Sequence, residues 1–186
     1  MEGDCKRVAF HGCVSVVDLP LTTCIVRGWR MDDLPALVRH ANNARIAANL
    51  RDRFPHPYTD EAGRGWLEFL QTLTPPSVWA IDVEGEAVGC IGLQLHEDVE
   101  RVSAELGYWL GESFWGRGIT TEAVRAVTAE AFDAFSLTRV YALPFADNAG
   151  SIRVLEKAGF VLEGRMPRSA IKNGVIRDQL LYGAYR

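Results

Sequence analysis

The sequence predicts one α/β (α+β) domain, and three observations carry that prediction. Its 186 residues suit a single domain with a substantial core. Apolar residues recur at helical spacing in some segments and alternate in others, so both kinds of element are present. The segments follow one another as β-α-α-β-β-β-α-β-α-β-β. Three successive strands joined by short turns imply antiparallel neighbours.

Residues 1–18 show no clear period and are expected to form a loose arm, leaving 19–186 as the domain. Thr22 to Trp29, rich in β-branched residues, reads as the first strand. Asp32 and Asp33 precede a helix with Pro35 in its first turn, and Leu34, Leu37, Val38 and Ala41 form its apolar stripe. Thr59 can cap a second helix to Gln71, with Trp66, Phe69, Leu70 and Leu73 on one face. Between the two, Arg51 to Tyr58 is broken by Pro55 and Pro57 and cannot be regular helix. Three strands follow, Ser77–Val83, Ala87–Leu95 and Val102–Leu110, the first two joined by a tight turn at Glu84-Gly85. Gly111 to Gly118 reads as a loop, Thr120–Phe135 as a helix, and Arg139–Leu143 as a short strand. A helix over Ser151–Ala158 ends at Gly159, and Asn173-Gly174 turns the last two strands.

Composition narrows the function. Lys plus Arg is 20 and Asp plus Glu is 24, a net charge of −4, so no basic excess exists to hold a nucleic-acid backbone. No apolar run approaches the roughly 18 residues of a membrane span. Lys6 and Arg7 precede a weakly apolar stretch to Val17, but His11 interrupts it, and Asp18 and Pro20 stand where a cleavage site would want small residues. Cys5, Cys13, Cys24 and Cys90 show no Cys-x-x-Cys spacing. They are expected to be free thiols in a reducing cytoplasm rather than disulfides or zinc ligands, and no metal is expected.

The most informative segment is Glu105-Leu106-Gly107-Tyr108-Trp109-Leu110, then Phe114-Trp115-Gly116-Arg117-Gly118-Ile119-Thr120-Thr121. It reads as a strand, a glycine loop and a helix start. Glycines admit close approach by an anion, and a helix N-terminus presents unpaired N–H groups with a partial positive charge. The pattern suits a phosphate, with Arg117 able to add a charged contact. By itself it equally describes an ordinary strand-to-helix turn. It is not a nucleotide P-loop, since no Gly-Lys-Ser/Thr follows, nor a dinucleotide fingerprint, since the third glycine is absent. The remaining common pyrophosphate ligand with a long uncharged arm is coenzyme A.

Downstream, Asp147-Asn148-Ala149-Gly150-Ser151-Ile152-Arg153-Val154-Leu155-Glu156-Lys157-Ala158-Gly159-Phe160 resembles the Asn-x-x-Ser…Glu-Lys-x-Gly-Phe signature of the GNAT superfamily of acetyl-CoA-dependent N-acetyltransferases. The glycine loop resembles that family's pyrophosphate motif, and the element order matches over Thr22 to Tyr185. Within the family the chain is most similar to the ribosomal-protein-alanine acetyltransferase subgroup, a likeness shared by the closing Asp178-Gln179-Leu180-Leu181-Tyr182. Three positions depart from the wider pattern. Trp115 stands at a usual Gln or Arg, Thr120 at a usual Gly or Ala, and Leu155 where many members place the tyrosine that protonates the departing thiolate.

The resemblance implies a mostly antiparallel mixed sheet splayed around acetyl-CoA, with helices on both faces. It implies that the backbone of Tyr108, Trp109 and Leu110 pairs with the pantetheine arm. Trp115, Gly116 and the amides of Arg117, Gly118, Ile119, Thr120 and Thr121 would hold the pyrophosphate, and Asn148 and Ser151 would close the opposite side. Transfer to an amine needs a base, a donor to the thioester oxygen and an acid for the thiolate. Glu105 is the candidate base; it shares a strand face with Gly107 and Trp109, so it also fits a plain surface carboxylate. Ser151 is the candidate acid by resemblance, and equally a helix cap. A backbone amide near Leu110 could polarise the carbonyl. Arg51, Asp52, Phe54 and Tyr58 would line the acceptor pocket. The expected acceptor is a peptide N-terminus or a small-molecule amine. Neither nucleic acid nor membrane is an expected partner, and homodimers are common in the family. A non-catalytic acyl-CoA sensor and a partner-binding protein keeping only the fold are the alternatives.

Overall fold

A computed structural model describes residues 18–186. The expected arm, Cys5, Cys13, His11 and the Lys6–Val17 stretch therefore lie outside the described residues, apart from Asp18 at the arm's end.

Among the described residues eight strands form one sheet: β1 (Leu19–Pro20), β2 (Ile25–Gly28), β3 (Val78–Val83), β4 (Glu86–Leu95), β5 (Ser103–Leu110), β6 (Arg139–Ala142), β7 (Val161–Lys172) and β8 (Val175–Tyr185). Their spatial order is β1-β2-β3-β4-β5-β6-β8-β7. Every neighbouring pair is antiparallel except β5 and β6, which run parallel. Of the expected strand from Thr22 to Trp29 only Ile25–Gly28 is extended, as β2, and a bend at Thr22 and Thr23 folds it back on β1 just before. Glu122, in the helix beyond β5, holds that bend by accepting from the backbone N–H groups of both threonines, at 2.8 and 2.9 Å.

Among the described residues five α-helices cover the sheet: α1 (Leu34–Ala41), α2 (Ala44–Ala47), α3 (Asp60–Leu70), α4 (Ile119–Ala134) and α5 (Ala149–Ala158). One face packs Leu34, Leu37 and Leu67 of α1 and α3 on Cys90 and Trp109 of the sheet. The other packs Ala123, Val124, Val127 and Ala131 of α4 and Leu155 of α5 on Ile91, Leu106 and Val140. Strand alternation explains the division: Trp109 faces α1 and α3, while Leu106 and Leu110 face α4. The caps follow the chemistry of their residues. The Thr59 hydroxyl accepts from Ala62 N–H at 3.2 Å to begin α3, and Gly159 ends α5 in the left-handed region at φ 96°.

A buried charge network fixes the entry to α1. The Arg27 guanidinium makes two bonds to Asp33, at 2.7 and 2.8 Å, and its Nε donates to Asp82 at 2.8 Å. All three residues are buried.

Candidate active site

The site begins where the sheet comes apart. β5 pairs with β4 along its whole length, Ala104 opposite Leu95 through Leu110 opposite Gly89. With β6 it pairs only at Ser103–Arg139, Ala104–Val140 and Glu105–Tyr141. Beyond Glu105 the strands diverge. Gly111 N–H donates to Val88 O on the β4 side, so by strand alternation the backbone groups of Tyr108 and Leu110 turn toward the gap. The gap is a cleft of about 570 Å³, walled by 106–110 of β5, by 142–144 and 147–151 opposite, and by α2 and the residues after it.

At one end lies the glycine loop. Gly116 and Gly118 sit at φ 76° and 83°, left-handed values that a side chain rarely adopts. Gly118 is the N-cap of α4 and supplies no side-chain cap, so the first amides of the helix, at Ile119, Thr120 and Thr121, have no intrahelical acceptor. Thr120 lines the cleft, whereas the Ile119 side chain is core. The Arg117 guanidinium turns back, donating to Ser113 O at 2.8 Å and lying 5.1 Å from the Phe114 ring centre. Arg117 does not line the cleft in this arrangement. Trp115 is fixed by its indole N–H, which donates to Leu110 O at 2.7 Å, and the Arg45 guanidinium covers its ring. Arg45 also pairs with Glu112, whose carboxyl is held below the usual range by the Asn43 amide first and by Arg45 second.

The opposite wall is the start of α5. The Asn148 side-chain oxygen accepts from Ser151 N–H at 3.1 Å, so Asn148 is the helix cap and Ser151 sits inside the first turn. The expected boundary at Ser151 moves two residues back for that reason. Asn148 lines the cleft, and its amide nitrogen has no hydrogen-bond partner among the described residues. The Ser151 hydroxyl lies 2.7 Å from the Tyr108 hydroxyl, and Tyr108 also donates to Ser151 O at 3.3 Å. Burial pushes the Tyr108 phenol above its ordinary value, and the Ser151 bond pulls it partly back. Leu155 is fully buried and does not line the cleft.

Glu105 lies at the fork itself, lining the cleft and paired with the Arg51 guanidinium. Its strand neighbours are Gln94 and Tyr141. Tyr141 meets His96 Nε2 at 2.8 Å and carries the Arg139 guanidinium on its ring. Burial raises the Tyr141 phenol, and the Glu105 charge raises it further.

Of the four residues expected around the acceptor, Arg51 alone lines the cleft. Asp52 points to the far hairpin, accepting from Lys172 Nζ at 2.8 Å. Phe54 packs on Tyr58 and Trp109, with ring centres 5.0 and 6.0 Å away. Tyr58 is buried against α1 and α3, and burial pushes its phenol up to about 12. Aromatic rings in a proline-broken loop were drawn into the nearest core because burying them is worth more than lining a wet groove. Arg45, Asn49 and Asp147 line the cleft without having been expected there. Arg45 and Asn49 come with α2, a single turn too short to leave a periodic signal.

The sheet splits between β5 and β6 into a cleft with a glycine loop and an uncapped helix start at one end and with Glu105, Tyr108 and Ser151 among its walls. The comparisons agree with it. Residues 24–161 match the acetyltransferase (GNAT) domain family, and the chain belongs to that family. A ribosomal-protein-serine acetyltransferase of Escherichia coli (strain K12) is 33% identical over 99 residues, 53% of this chain and 55% of that protein. The chain spans about half the length of the curated relatives it matches. Among solved structures, RimL, a ribosomal L7/L12 alpha-N-protein acetyltransferase in complex with coenzyme A, superposes with a TM-score of 0.82 at 25% identity, covering 91% of this chain and 98% of that one. RimJ of Mycobacterium smegmatis, in complex with CoA-disulfide, superposes with a TM-score of 0.79 at 25% identity, covering 87% and 81%. Among the described residues no helix is long and apolar enough to cross a membrane, and no cluster of His, Cys, Asp and Glu could hold a metal ion.

Proposed function

We propose that the protein is an acetyl-CoA-dependent N-acetyltransferase that moves an acetyl group to a primary amine by direct attack in a ternary complex. The observation that carries this reading is the fork between β5 and β6, with an uncapped helix start at its end. The strand backbone of Tyr108 and the Leu110 N–H suit an amide-bearing arm, and the amides from Arg117 to Thr121 suit a pyrophosphate. Coenzyme A has both, and the RimL and RimJ structures hold it or its disulfide. Bound there, acetyl-CoA supplies an activated acetyl group.

The chain's own residues supply the rest. Glu105 accepts the proton of the acceptor ammonium, directly or through water, once Arg51 moves aside. The Leu110 region offers an amide to the carbonyl oxygen, Asn148 offers its free amide nitrogen to the arm, and Ser151 is the acid. The acceptor is an amine at a protein N-terminus or on a small molecule, entering past Arg51. The buried free thiols Cys24 and Cys90 support a reducing, cytoplasmic setting.

A thiol-release assay over peptides and small amines tests the reading, with Glu105→Gln beside the wild type. Turnover on one acceptor class, with a loss of roughly 10²–10⁴ in Glu105→Gln, is the expected result. The Arg51–Glu105 pair favours one second reading, a non-catalytic acyl-CoA sensor whose carboxylate is permanently occupied. Tight acetyl-CoA binding with no turnover anywhere would select it.

A further inference from the structure

We infer that Tyr108 takes the place of the phenol missing from α5, acting through Ser151 as the positioning half of a two-hydroxyl proton donor to the departing sulfur. The inference rests on the acetyl-transfer reading and deepens it.

Position 155 is leucine, fully buried, and it contributes nothing to the cleft. Ser151 stands one turn earlier on the same face of α5, and it does line the cleft. On β5, alternation places Tyr108 in a row with Leu106 and Leu110, both core residues. A phenol set in an apolar row needs a partner for its hydroxyl, and the Ser151 hydroxyl is that partner at 2.7 Å. Tyr108 packs against the same buried cluster that encloses Leu155, so a strand residue fills the role a helix residue holds elsewhere.

The surroundings of Ser151 leave its hydroxyl one productive course. Its N–H is taken by the Asn148 side-chain oxygen, and its carbonyl, at 3.3 Å, is the more distant of the two Ser151 oxygens within reach of the Tyr108 proton. Beyond Tyr108, its Oγ has no hydrogen-bond partner among the described residues. When Tyr108 O–H donates to Ser151 Oγ, the Ser151 proton is directed into the cleft. The raised phenol keeps Tyr108 protonated through the neutral range, as a donor must be. As the C–S bond breaks, its electron pair goes to sulfur. The Ser151 proton passes to that sulfur, the Tyr108 proton passes to Ser151, and water restores the proton of Tyr108. The acceptor ammonium first gives one proton to Glu105 and thence to water, and the freed amine forms the new C–N bond. As the C–S bond breaks that nitrogen gives a second proton to water, which balances the one water returns to Tyr108, so the net release is one proton.

The test uses coenzyme A itself, whose bound thiol is titrated by ultraviolet thiolate absorbance in the wild type, Tyr108→Phe, Ser151→Ala and the double variant. A donor aimed at sulfur favours the thiolate, so the bound thiol is expected to titrate below free coenzyme A in the wild type. It is expected to return toward the free value in each variant, and the double variant should go no further than Ser151→Ala alone. With a turned-over amine, Tyr108→Phe should lower kcat about 100-fold while KM for acetyl-CoA stays within about twofold, and the alkaline limb of the pH profile should shift. Identical thiol titrations in wild type and Tyr108→Phe would overturn the inference. So would additive losses in the double variant, or a rise in KM with kcat intact. A wild type that lowers the bound thiol yet turns over no amine would sink the acetyl-transfer reading alone and leave the hydroxyl pair standing.

Discussion

Replacing Arg27 with methionine isolates the most heavily bonded charged side chain among the described residues. The guanidinium makes three bonds to Asp33 and Asp82 and a fourth, at 3.0 Å, to Gly28 O. Its side chain is 5% exposed, and those of Asp33 and Asp82 are 9% and 5% exposed. Methionine fills a similar volume but leaves two carboxylates facing an apolar neighbour. Breaking a buried pair from one side costs about 3–5 kcal/mol, against a total stability of roughly 5–15. At roughly 2–4 °C per kcal/mol for a chain of this size, the melting temperature should fall by about 6–20 °C. Urea unfolding followed by tryptophan fluorescence, with calorimetry beside it, reads both numbers. None of the three residues lines the cleft, so coenzyme A affinity in the folded protein should not change. Adding Asp33→Leu and Asp82→Leu should restore much of the loss, because the stranded charges are then gone. A loss below about 1 kcal/mol, or a triple variant no more stable than Arg27→Met, would refute the argument from unpaired burial.

The same network sets an acid limit. Burial alone would raise the Asp33 carboxyl, but the bonds from Arg27 and Arg30 N–H hold it below the usual range. Its contribution is therefore complete above the unfolded value of about 4 and is lost as pH falls through the lower folded one, so wild-type stability measured by urea should drop along that limb more steeply than that of Asp33→Asn. In the glycine loop, Gly118→Ala meets nothing within 4 Å but must hold φ 83°, so it should cost about 1–2 kcal/mol of local strain. Calorimetric titration should show coenzyme A binding weakened by roughly tenfold, since that strain falls on the amides of the anion cradle. Burial pushes the Cys90 thiol up to about 12, so iodoacetamide at neutral pH should leave it unmodified in the native protein and label it in urea, as read by peptide mass mapping.

The glycine-loop end of the cleft was legible because its parts are neighbours in the chain. A strand, a glycine loop and a helix start fall within Glu105 to Thr121, and the second wall follows within Asp147 to Ser151. The remaining wall is assembled from α2, the residues after it and β5, and no local pattern joins Asp52 to Lys172 or Arg177 to Asp147 behind it. Phe54 and Tyr58 have the same composition whether they face a groove or a core, so their direction could be settled only by the packing of α1 and α3. Likewise Asn173-Gly174 announces a hairpin but says nothing of which strand sits inside. The helix α2 escaped notice because it rests on the Asn43 cap, whose oxygen accepts from Arg45 N–H at 2.8 Å, rather than on any apolar stripe.

The place of β8 between β6 and β7 bears on how the protein is made. The cleft wall after β6 is held from behind by β8: Leu180 N–H donates to Pro144 O, and Ala146 N–H donates to Asp178 O, both at 2.9 Å. A ribosome delivers that wall well before the strand that props it. The nascent chain can assemble the glycine loop and α4 early, yet Asn148 and Ser151 have no fixed station until β8 has slotted home. The cleft can therefore take its shape only after β8 has been made, when the sheet is completed.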